Sequence, residues 1–274
     1  MSLRTISYGG GVQSTALVLL AMNGTLEFDV ALFANVGDDS EHPGTLTWVR
    51  ETMMPLAEEH NFPIHELHKT KRDGTRARSL LAHITEHDDP GTLREPFPVR
   101  GMNGAPLSRS CTSDWKIKVV GKWLKANGAS KDDPATVAIG ISTDEIHRAN
   151  SKRVEPYERP VYPLLDLGWN RTDCLKYIRY ELGKVPPKSS CFFCPFHRPD
   201  TWAEMARHEP ELFEKSVALE RLLNERRKML GKDPVWLTRF NKPLDIAIGP
   251  EQDNLPGLDL DYGDDGCDSG ACFT

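Results

Sequence analysis

The sequence lacks a long apolar run. Its longest apolar stretch without a charge begins at Val12 and stops before Glu27, and polar residues and a glycine interrupt it. A membrane-spanning helix needs about 20 consecutive apolar residues, so no membrane partner is expected. The start of the chain also lacks the order of a signal peptide, in which a basic stretch precedes an apolar run and a small-residue cleavage site. These absences predict a cytoplasmic protein.

Cysteine is scarce, and neither sign of charge dominates. Six cysteines in 274 residues are too few for a disulfide-stapled fold, and in a reducing compartment clustered cysteines indicate metal or redox chemistry. The 34 basic and 40 acidic residues give a net charge of −6. That balance argues against nucleic-acid binding over the whole surface, although a local basic patch remains compatible with it.

Strand and helix patterns alternate along the first part of the chain. Short apolar segments occur at Thr5–Tyr8, Phe28–Asn35 and Pro63–Leu67, and helical patterns separate them at Ser14–Met22 and Thr45–His60. This β-α-β-α-β order predicts an α/β fold with a Rossmann-like parallel sheet flanked by helices.

A segment rich in proline and glycine, from Lys69 to Ser110, interrupts the alternation. A helical pattern at Asp114–Asn127 and a strand pattern at Thr136–Ile141 resume it, and Thr172 is a candidate N-cap for a later helix. The predicted domains are a nucleotide-binding α/β domain at residues 1–165 and a smaller, mostly helical C-terminal region with an acidic tail at residues 166–274.

Three glycines, Gly9, Gly10 and Gly11, follow the first predicted strand. Glycine permits positive φ and close approach of the backbone to a ligand, and the helix that follows offers free amides at the positive end of its dipole. Ser14 and Thr15 add hydroxyl groups in its first turn. The segment predicts a phosphate site, and a tight turn without a ligand is the alternative. It is neither a Walker A loop nor the dinucleotide fingerprint, because both spacings are absent.

The segment from Tyr8 to Thr15 resembles the pyrophosphate loop of the ATP-pyrophosphatase superfamily, Ser-Gly-Gly-x-Asp-Ser after a strand. Gly9–Gly11 stand at its first serine and its glycines, Ser14 stands at its last serine, and Gln13 replaces its aspartate. The resemblance implies a HUP-type fold and an adenine nucleotide, ATP or phosphoadenylyl sulfate (PAPS), held by Tyr8–Thr15. The aspartate is associated with Mg²⁺, so Gln13 leaves Mg²⁺ binding and ATP cleavage open.

Later segments resemble, in order, the branch that contains PAPS reductase. They are Phe33–Gly37 with Pro43 and Thr45, Arg109–Thr112 with Lys116, Gly140–Ile141 with Asp144, Glu145 and Arg148, Tyr162–Leu164, and Cys191–Pro195. The resemblance implies sulfur transfer or sulfonucleotide reduction near Cys111, with a sulfur donor or a thioredoxin-like reductant as partner. The residues implied are Asn35, Gly37, Gly140 and Glu145 for the nucleotide and Cys111, Lys116, Arg148 and Cys272 for catalysis.

Two other functions are alternatives. One is an adenylating ATP pyrophosphatase that acts on nucleic acid or a small molecule, and the other is a non-catalytic nucleotide sensor.

The charged residues of these segments allow two interpretations each. Lys116 and Arg148 are cations that suit phosphates, but either can also be a solvated surface charge. Asp144 and Glu145 can bind Mg²⁺ or hold Arg148. The sequence does not decide between these alternatives.

Cys191 and Cys194 have the C-x2-C spacing of a chelate, and Cys111 precedes Cys191 by 80 residues. Thiolates bind zinc or iron–sulfur clusters. Resemblance to adenylyl-sulfate reductases implies a 4Fe–4S cluster on these three cysteines, and structural zinc is the rival. Buried inert thiols are the plainer alternative. The candidates for a fourth ligand are Cys174, Cys267, Cys272 and an open iron site.

Five cations lie close together in the long interrupting segment, namely Lys69, Lys71, Arg72, Arg76 and Arg78. A solvated loop is the default interpretation. A clamp on a nucleotide phosphate or on nucleic acid is the sharper hypothesis, because clustered lysine and arginine neutralise phosphates.

Overall fold

The computed structural model describes residues 2–86, 95–149 and 155–248, and the chain divides into two compact units. Of the described residues, unit 1 holds 2–77, 112–149 and 155–190, and unit 2 holds 78–86, 95–111 and 191–248. The units alternate along the chain instead of meeting at the single predicted boundary near residue 165. One reason is that the helix Arg171–Leu182 buries Cys174 and Ile178 in the core of unit 1.

Unit 1 contains a five-stranded parallel sheet, which confirms the predicted fold class. The strands are β1 (Arg4–Tyr8), β2 (Val30–Asn35), β3 (Ile64–His68), β4 (Ala135–Ile139) and β5 (Glu158–Val161), in the order β3-β2-β1-β4-β5. Ile6 of β1 lies opposite Ala31 of β2 and Ala138 of β4. Every residue of β2 is buried, as expected for a strand that is covered on both faces.

Helices of unit 1 cover both faces of the sheet. The structure describes α-helices in both units. In chain order the α-helices are α1 (Val12–Met22), α2 (Pro43–Thr47), α3 (Met54–Glu59), α4 (Leu80–Thr85), α5 (Ser110–Thr112), α6 (Lys118–Ala126), α7 (Pro163–Asp166), α8 (Arg171–Leu182), α9 (Pro199–His208), α10 (Pro210–Met229) and α11 (Leu244–Ala247). π-helical turns at Trp48–Met53 and Ser113–Ile117 continue into α3 and α6, and a 3₁₀ helix spans Thr143–Arg148.

Alternate residues of β2 belong to different cores, because successive side chains of a strand point to opposite faces. Ala31 and Phe33 pack with α1 and α8, whereas Leu32 packs with Val120 and Leu124 of α6. The sheet is therefore a buried layer between helices, and its functional surface is confined to its edges and its loops.

Helix α8 begins with a capping box. The side chain of Asn170 accepts from the backbone N–H of Asp173 at 3.0 Å, and the Asp173 carboxylate accepts from the backbone N–H of Asn170 at 3.1 Å. The predicted cap at Thr172 is therefore wrong by two residues. Thr172 already lies within the first turn of the helix, which places Arg171 at its first position.

Unit 2 is mostly helical, as expected for the C-terminal part. Trp202 of α9 is fully buried, and its ring packs edge-on against His197 and Phe213 with centroid distances of 4.8 and 6.4 Å. Glu220 of α10 is also buried. Across the described ranges, no helix has both the length and the apolar character to cross a membrane.

Candidate nucleotide-binding site

The glycine turn lies where the strand order of the sheet reverses. β1 leads into the turn and has β2 on one side and β4 on the other, so the turn and the loop after β4 emerge side by side. A Cβ atom on Gly140 would lie only 2.9 Å from the backbone nitrogen of Ser14 and 3.1 Å from the carbonyl carbon of Gln13. Glycine at 140 thus permits close contact between the two loops, at the position where ligands bind open α/β sheets.

Ser14 holds the turn in shape. Its hydroxyl accepts from the backbone N–H of Gly9 at 3.2 Å and donates to the carbonyl of Gly11 at 3.3 Å. The N–H of Thr15 donates to the Gly11 carbonyl at 2.9 Å, which starts the hydrogen bonding of α1. The preceding amides of α1 have no acceptor within the helix, and Gly11 has no side chain to cap them. These amides lie at the positive end of the helix dipole, and phosphate binding there stays a prediction.

Gly10 faces the protein interior. Its φ of +72° lies in the left-handed region, and a Cβ atom there would meet the Cγ2 atoms of Thr45 and Val49 at 3.0 Å each. Gly10 is therefore needed for backbone conformation and packing. Gly11 is less constrained, because its φ of −93° suits any residue and the atom 2.6 Å from a Cβ there is the side-chain hydroxyl of Ser189.

Tyr8 and Thr15 support the turn from inside. Both side chains are fully buried. Burial raises the pKa of Tyr8, and interactions with the Thr15 hydroxyl and the Trp48 indole offset the rise only in part. Tyr8 is therefore a neutral hydroxyl, and these two side chains do not line an exposed phosphate site.

Gln13 connects the turn to two other elements of unit 1. Its side-chain oxygen accepts from Arg171 at 3.1 Å, and its nitrogen lies 3.4 Å from both the Ser142 hydroxyl and the Glu145 carboxylate. Glu145 in turn accepts from Arg148 at 2.6 Å. The amide is thus oriented with its acceptor towards a cation and its donor towards a carboxylate. We call Gln13, Glu145, Arg148 and Arg171 the Gln13 network.

This network decides two alternatives that the sequence left open. Arg148 is not a solvated surface charge, because its side chain is only 9% exposed and is paired with Glu145. Glu145 holds Arg148, whereas Asp144 is exposed and accepts from the backbone N–H of Arg171 at 3.2 Å. Asp144 therefore lies at the start of α8.

Lys116 is an interior cation. Its ammonium nitrogen lies 3.6 Å from the carboxylate of Glu41, and the two side chains are 8% and 2% exposed. The interpretation of Lys116 as a solvated charge is wrong, because the π-helical turn before α6 places it inside unit 1. Its charge is matched by Glu41, and its catalytic role stays a prediction.

Asn35 and Gly37 lie in a charged cluster at the ends of β2 and β3. The Asn35 amide donates to Asp38 and Glu66 at 2.7 Å each and accepts from the N–H of Gly37 at 2.7 Å. Arg50 bridges both carboxylates at 2.6 to 3.0 Å.

This pairing keeps both carboxyl groups ionised. Hydrogen bonds from Arg50 lower the pKa of Asp38. Burial alone would raise the pKa of Glu66, but hydrogen bonds from Arg50 and Asn35 outweigh it and lower the value. The carboxylates at this edge are thus paired with a cation of the chain, and a nucleotide role for Asn35 and Gly37 stays a prediction.

The predicted metal ligands Cys111, Cys191 and Cys194 all belong to unit 2 and are half-buried. The N–H of Cys194 donates to the Cys191 carbonyl at 3.1 Å, which closes the turn between them. Within the described residues, no three His, Cys, Asp or Glu side chains come close enough together to hold a metal ion. Zinc or a cluster at these cysteines stays a prediction.

The remaining cysteines differ in their surroundings. Cys174 is fully buried in α8, and burial raises the pKa of its thiol to about 12, as expected of an inert core residue. Cys267 and Cys272 lie outside the described residues.

Two residues near these features were not singled out from the sequence. Arg171 contacts Gln13 across 158 positions, a relationship that only the fold creates. His197 donates from Nε2 to the Cys191 carbonyl at 3.0 Å. The spacing Cys-x2-Cys-x2-His was the available signal for His197.

No protein-family model matches this chain, and no curated protein matches it. Among solved structures, the chain is similar to the U34-tRNA thiolase NcsA from Methanococcus maripaludis with its 4Fe–4S cluster. The two share 14% identity over 81% of this chain and 72% of that chain, with a TM-score of 0.41. With a likeness this distant, the function has to be argued from the residues of the chain itself.

Proposed function

We propose that this chain is an enzyme that binds an adenine nucleotide at Gly9–Ser14 and uses it in sulfur-transfer or sulfonucleotide chemistry. The main support for nucleotide binding is the close approach of Gly140 to Ser14 and Gln13. A Cβ atom on Gly140 would lie only 2.9 Å from the backbone nitrogen of Ser14. This contact lies at the switch point of the sheet, and α/β sheets bind ligands in the crevice outside the carboxyl ends of the strands at such a point.

The charges around the turn favour a phosphate. The first turn of α1 carries no acidic side chain, and its free amides point out of the helix at its positive end. Arg171 lies beside the turn through its bond to Gln13. A guanidinium has five N–H donors in a fixed plane, which suits the oxygens of a phosphate. Together, the amides and Arg171 provide the recognition that a polyphosphate needs.

Gln13 favours chemistry that does not draw a metal ion to this position. A neutral amide binds Mg²⁺ less strongly than the aspartate of the resembled loop would, since Mg²⁺ prefers carboxylates and phosphates. In this chain the amide already has a donor in Arg171 and an acceptor in Glu145. A sulfonucleotide whose pyrophosphate stays intact requires no such metal.

The sulfur part of the proposal rests on Cys111, Cys191 and Cys194. The support is their half-buried state within one compact unit and the ordered motifs of the sequence. Iron, sulfide and zinc analysis with a visible spectrum on anaerobically purified protein tests it. Cys191→Ala should lose most of the metal, and the matched control Cys174→Ala should keep it. A metal-free wild type would remove the cluster from the proposal.

The activity test compares two products. Sulfite release from PAPS with a thiol reductant is the expected result, and pyrophosphate release from ATP is the competing one. Ser14→Ala should reduce the observed activity, because it removes both hydrogen bonds that hold the turn. Robust Mg²⁺-dependent pyrophosphate release by the wild type would instead make the protein an adenylating ATP pyrophosphatase. Nucleotide binding without either product would make it a sensor.

A further inference from the structure

The basic segment after β3 folds into a short hairpin, residues 69–77. Backbone hydrogen bonds of 2.8 Å join Lys71 to Thr75 and Ala77 to Lys69, and an antiparallel bridge pairs Thr70 with Arg76. The hairpin therefore holds its cations in a defined arrangement. Three of them are exposed to solvent, namely Lys71, Arg72 and Arg76.

Helix α6 carries a second row of cations. Lys118, Lys122 and Lys125 are all exposed, and their spacing of four and three residues places them on one face of the helix. Val120 and Leu124 are buried against the sheet. The helix thus separates a buried apolar face from an exposed face on which every charged side chain is a lysine.

The hairpin and α6 join into one surface. The ammonium group of Lys122 donates to the hydroxyl of Thr70 at 2.6 Å. Lys69 lies over the ring of Trp115, 3.4 Å from its centroid. We call the surface formed by these residues the basic surface; its cations are Lys69, Lys71, Arg72, Arg76, Lys118, Lys122 and Lys125.

The basic surface stands out on a chain whose net charge is −6. The hairpin contains the acidic residue Asp73, and the π-helical turn before α6 contains Asp114, which pairs with Lys118 at 2.5 Å. Arg76 also lies 4.0 Å from Asp38. Arg78 does not contribute as the sequence suggested, since it belongs to unit 2 and its guanidinium lies 3.7 Å from the Glu86 carboxylate.

Aromatic rings lie beside these cations. The rings of His65 and Trp123 are 5.5 Å apart, and His65 is exposed. Trp123 is next to Lys122 in α6, so the pair of rings adjoins the row of lysines on that helix. Basic grooves lined with aromatic rings are typical of sites for single-stranded nucleic acid.

A membrane surface fits less well. Binding of a basic helix to lipid depends on apolar side chains that enter the bilayer. The large exposed hydrophobic residues of the described chain lie outside the hairpin and α6; they are Met102, Leu107, Ile146, Leu167, Tyr180, Met229 and Ile246. A partner of this surface must therefore be recognised through charge and stacking.

We propose that the basic surface binds single-stranded nucleic acid, with phosphates on its lysine and arginine side chains and a base on His65. This goes beyond the proposed function and does not rest on it, because none of these residues belongs to the glycine turn or the Gln13 network. The two proposals can fail separately, since binding to the basic surface is measured with an oligonucleotide and binding to the glycine turn with a mononucleotide.

The test is fluorescence anisotropy of labelled oligouridylate and oligothymidylate at several salt concentrations. The triple variant Lys118→Gln, Lys122→Gln, Lys125→Gln should weaken binding and reduce the salt slope by about 2, since each phosphate contact contributes about 0.7. His65→Ala should weaken binding by about tenfold with little change in slope. Glutamine preserves helix propensity, and circular dichroism checks the fold.

The matched control is Lys176→Gln, Lys215→Gln, Lys228→Gln, which removes the same charge from exposed positions on α8 and α10. It should leave binding and slope unchanged. Equal losses in both triple variants would show unspecific charge attraction and overturn the proposal. So would absence of binding by the wild type, or binding to phosphatidylserine vesicles in preference to both oligonucleotides.

Discussion

The guanidinium of Arg171 donates a 3.1 Å hydrogen bond to the side-chain oxygen of Gln13. The bond ties the first turn of α1 to the first position of α8. The opposite end of the same amide faces the carboxylate of Glu145 at 3.4 Å. A neutral side chain that accepts on one side and donates on the other suits this place better than a charged one.

Replacing Arg171 should weaken nucleotide binding. A hydrogen bond to a charged group contributes about 1.5–3 kcal/mol, so Arg171→Gln should reduce the affinity for ATP by about tenfold or more. Calorimetry measures the affinity for ATP, and Arg179→Gln on the exposed face of α8 is the matched control. Equal affinities of the two variants would show that Arg171 does not contact the nucleotide.

Gln13→Glu should make the stability of the protein depend on a divalent cation. The variant places a second carboxylate about 3.4 Å from that of Glu145. Arg148 and Arg171 offset part of the repulsion between the two carboxylates, and a metal ion that joins them would offset the rest. Mg²⁺ should therefore raise the melting temperature of the variant, by about 2–4 °C for each kcal/mol of binding, and leave the wild type unchanged. A similar Mg²⁺ response of both proteins would contradict this account of the amide.

Replacing Lys116 should lower the stability of the protein, and any loss of activity should follow from that. Lys116→Met leaves the carboxylate of Glu41 buried without its cation, which costs about 3–5 kcal/mol of unfolding free energy. The double variant Lys116→Met, Glu41→Leu should recover most of that loss in urea denaturation. If the single variant is fully stable but inactive, Lys116 is a catalytic cation and the ion pair is secondary.

Glu220 should make unit 2 sensitive to pH. Its carboxylate accepts from the backbone N–H groups of Leu237 and Leu244 at 2.6 and 2.7 Å, and burial raises its pKa from 4.5 to about 7. The folded protein then retains a proton that the unfolded chain loses. The free energy of unfolding should therefore be highest below pH 4.5 and fall as the pH rises to 7. The expected decline is about 3 kcal/mol, since each unit of pKa difference corresponds to about 1.36 kcal/mol.

The measurement is urea denaturation of the wild type and of Glu220→Gln across this pH range. The variant has no titrating group at this position, so its unfolding free energy should lack that decline. Parallel pH profiles of the two proteins would show that folding does not raise the pKa of Glu220.

The local features of the fold could be predicted from the sequence, and the partners of its charges could not. Thr5–Tyr8 and Gly9–Gly11 reveal a strand and a turn because apolar periodicity and glycine act over a few residues. The sequence predicts the cap of α8 at Thr172, whereas the cap is Asn170, because either residue type can cap a helix and only the capping box with Asp173 distinguishes them. Helix boundaries depend on such short-range competition.

Burial and long-range pairing depend on topology. Nothing near Lys116 in the sequence indicates that Glu41 will meet it inside unit 1. The contact between Gln13 and Arg171 joins elements 158 positions apart, and it exists because α8 packs beside α1. The glycine turn between β1 and α1 was therefore predictable from the sequence, but the network that orients Gln13 was not.

The most direct test of the central claim is an amide NMR titration of the folded protein with ATP and with PAPS. The account predicts that the largest shift changes occur at the backbone amides of Gly9–Ser14 and at Gly140, with a smaller change at the Arg171 side chain. The signals of Lys215 and Lys228 on α10 serve as the reference. Saturable shifts confined to residues outside the turn, or no shifts with either nucleotide, would contradict it.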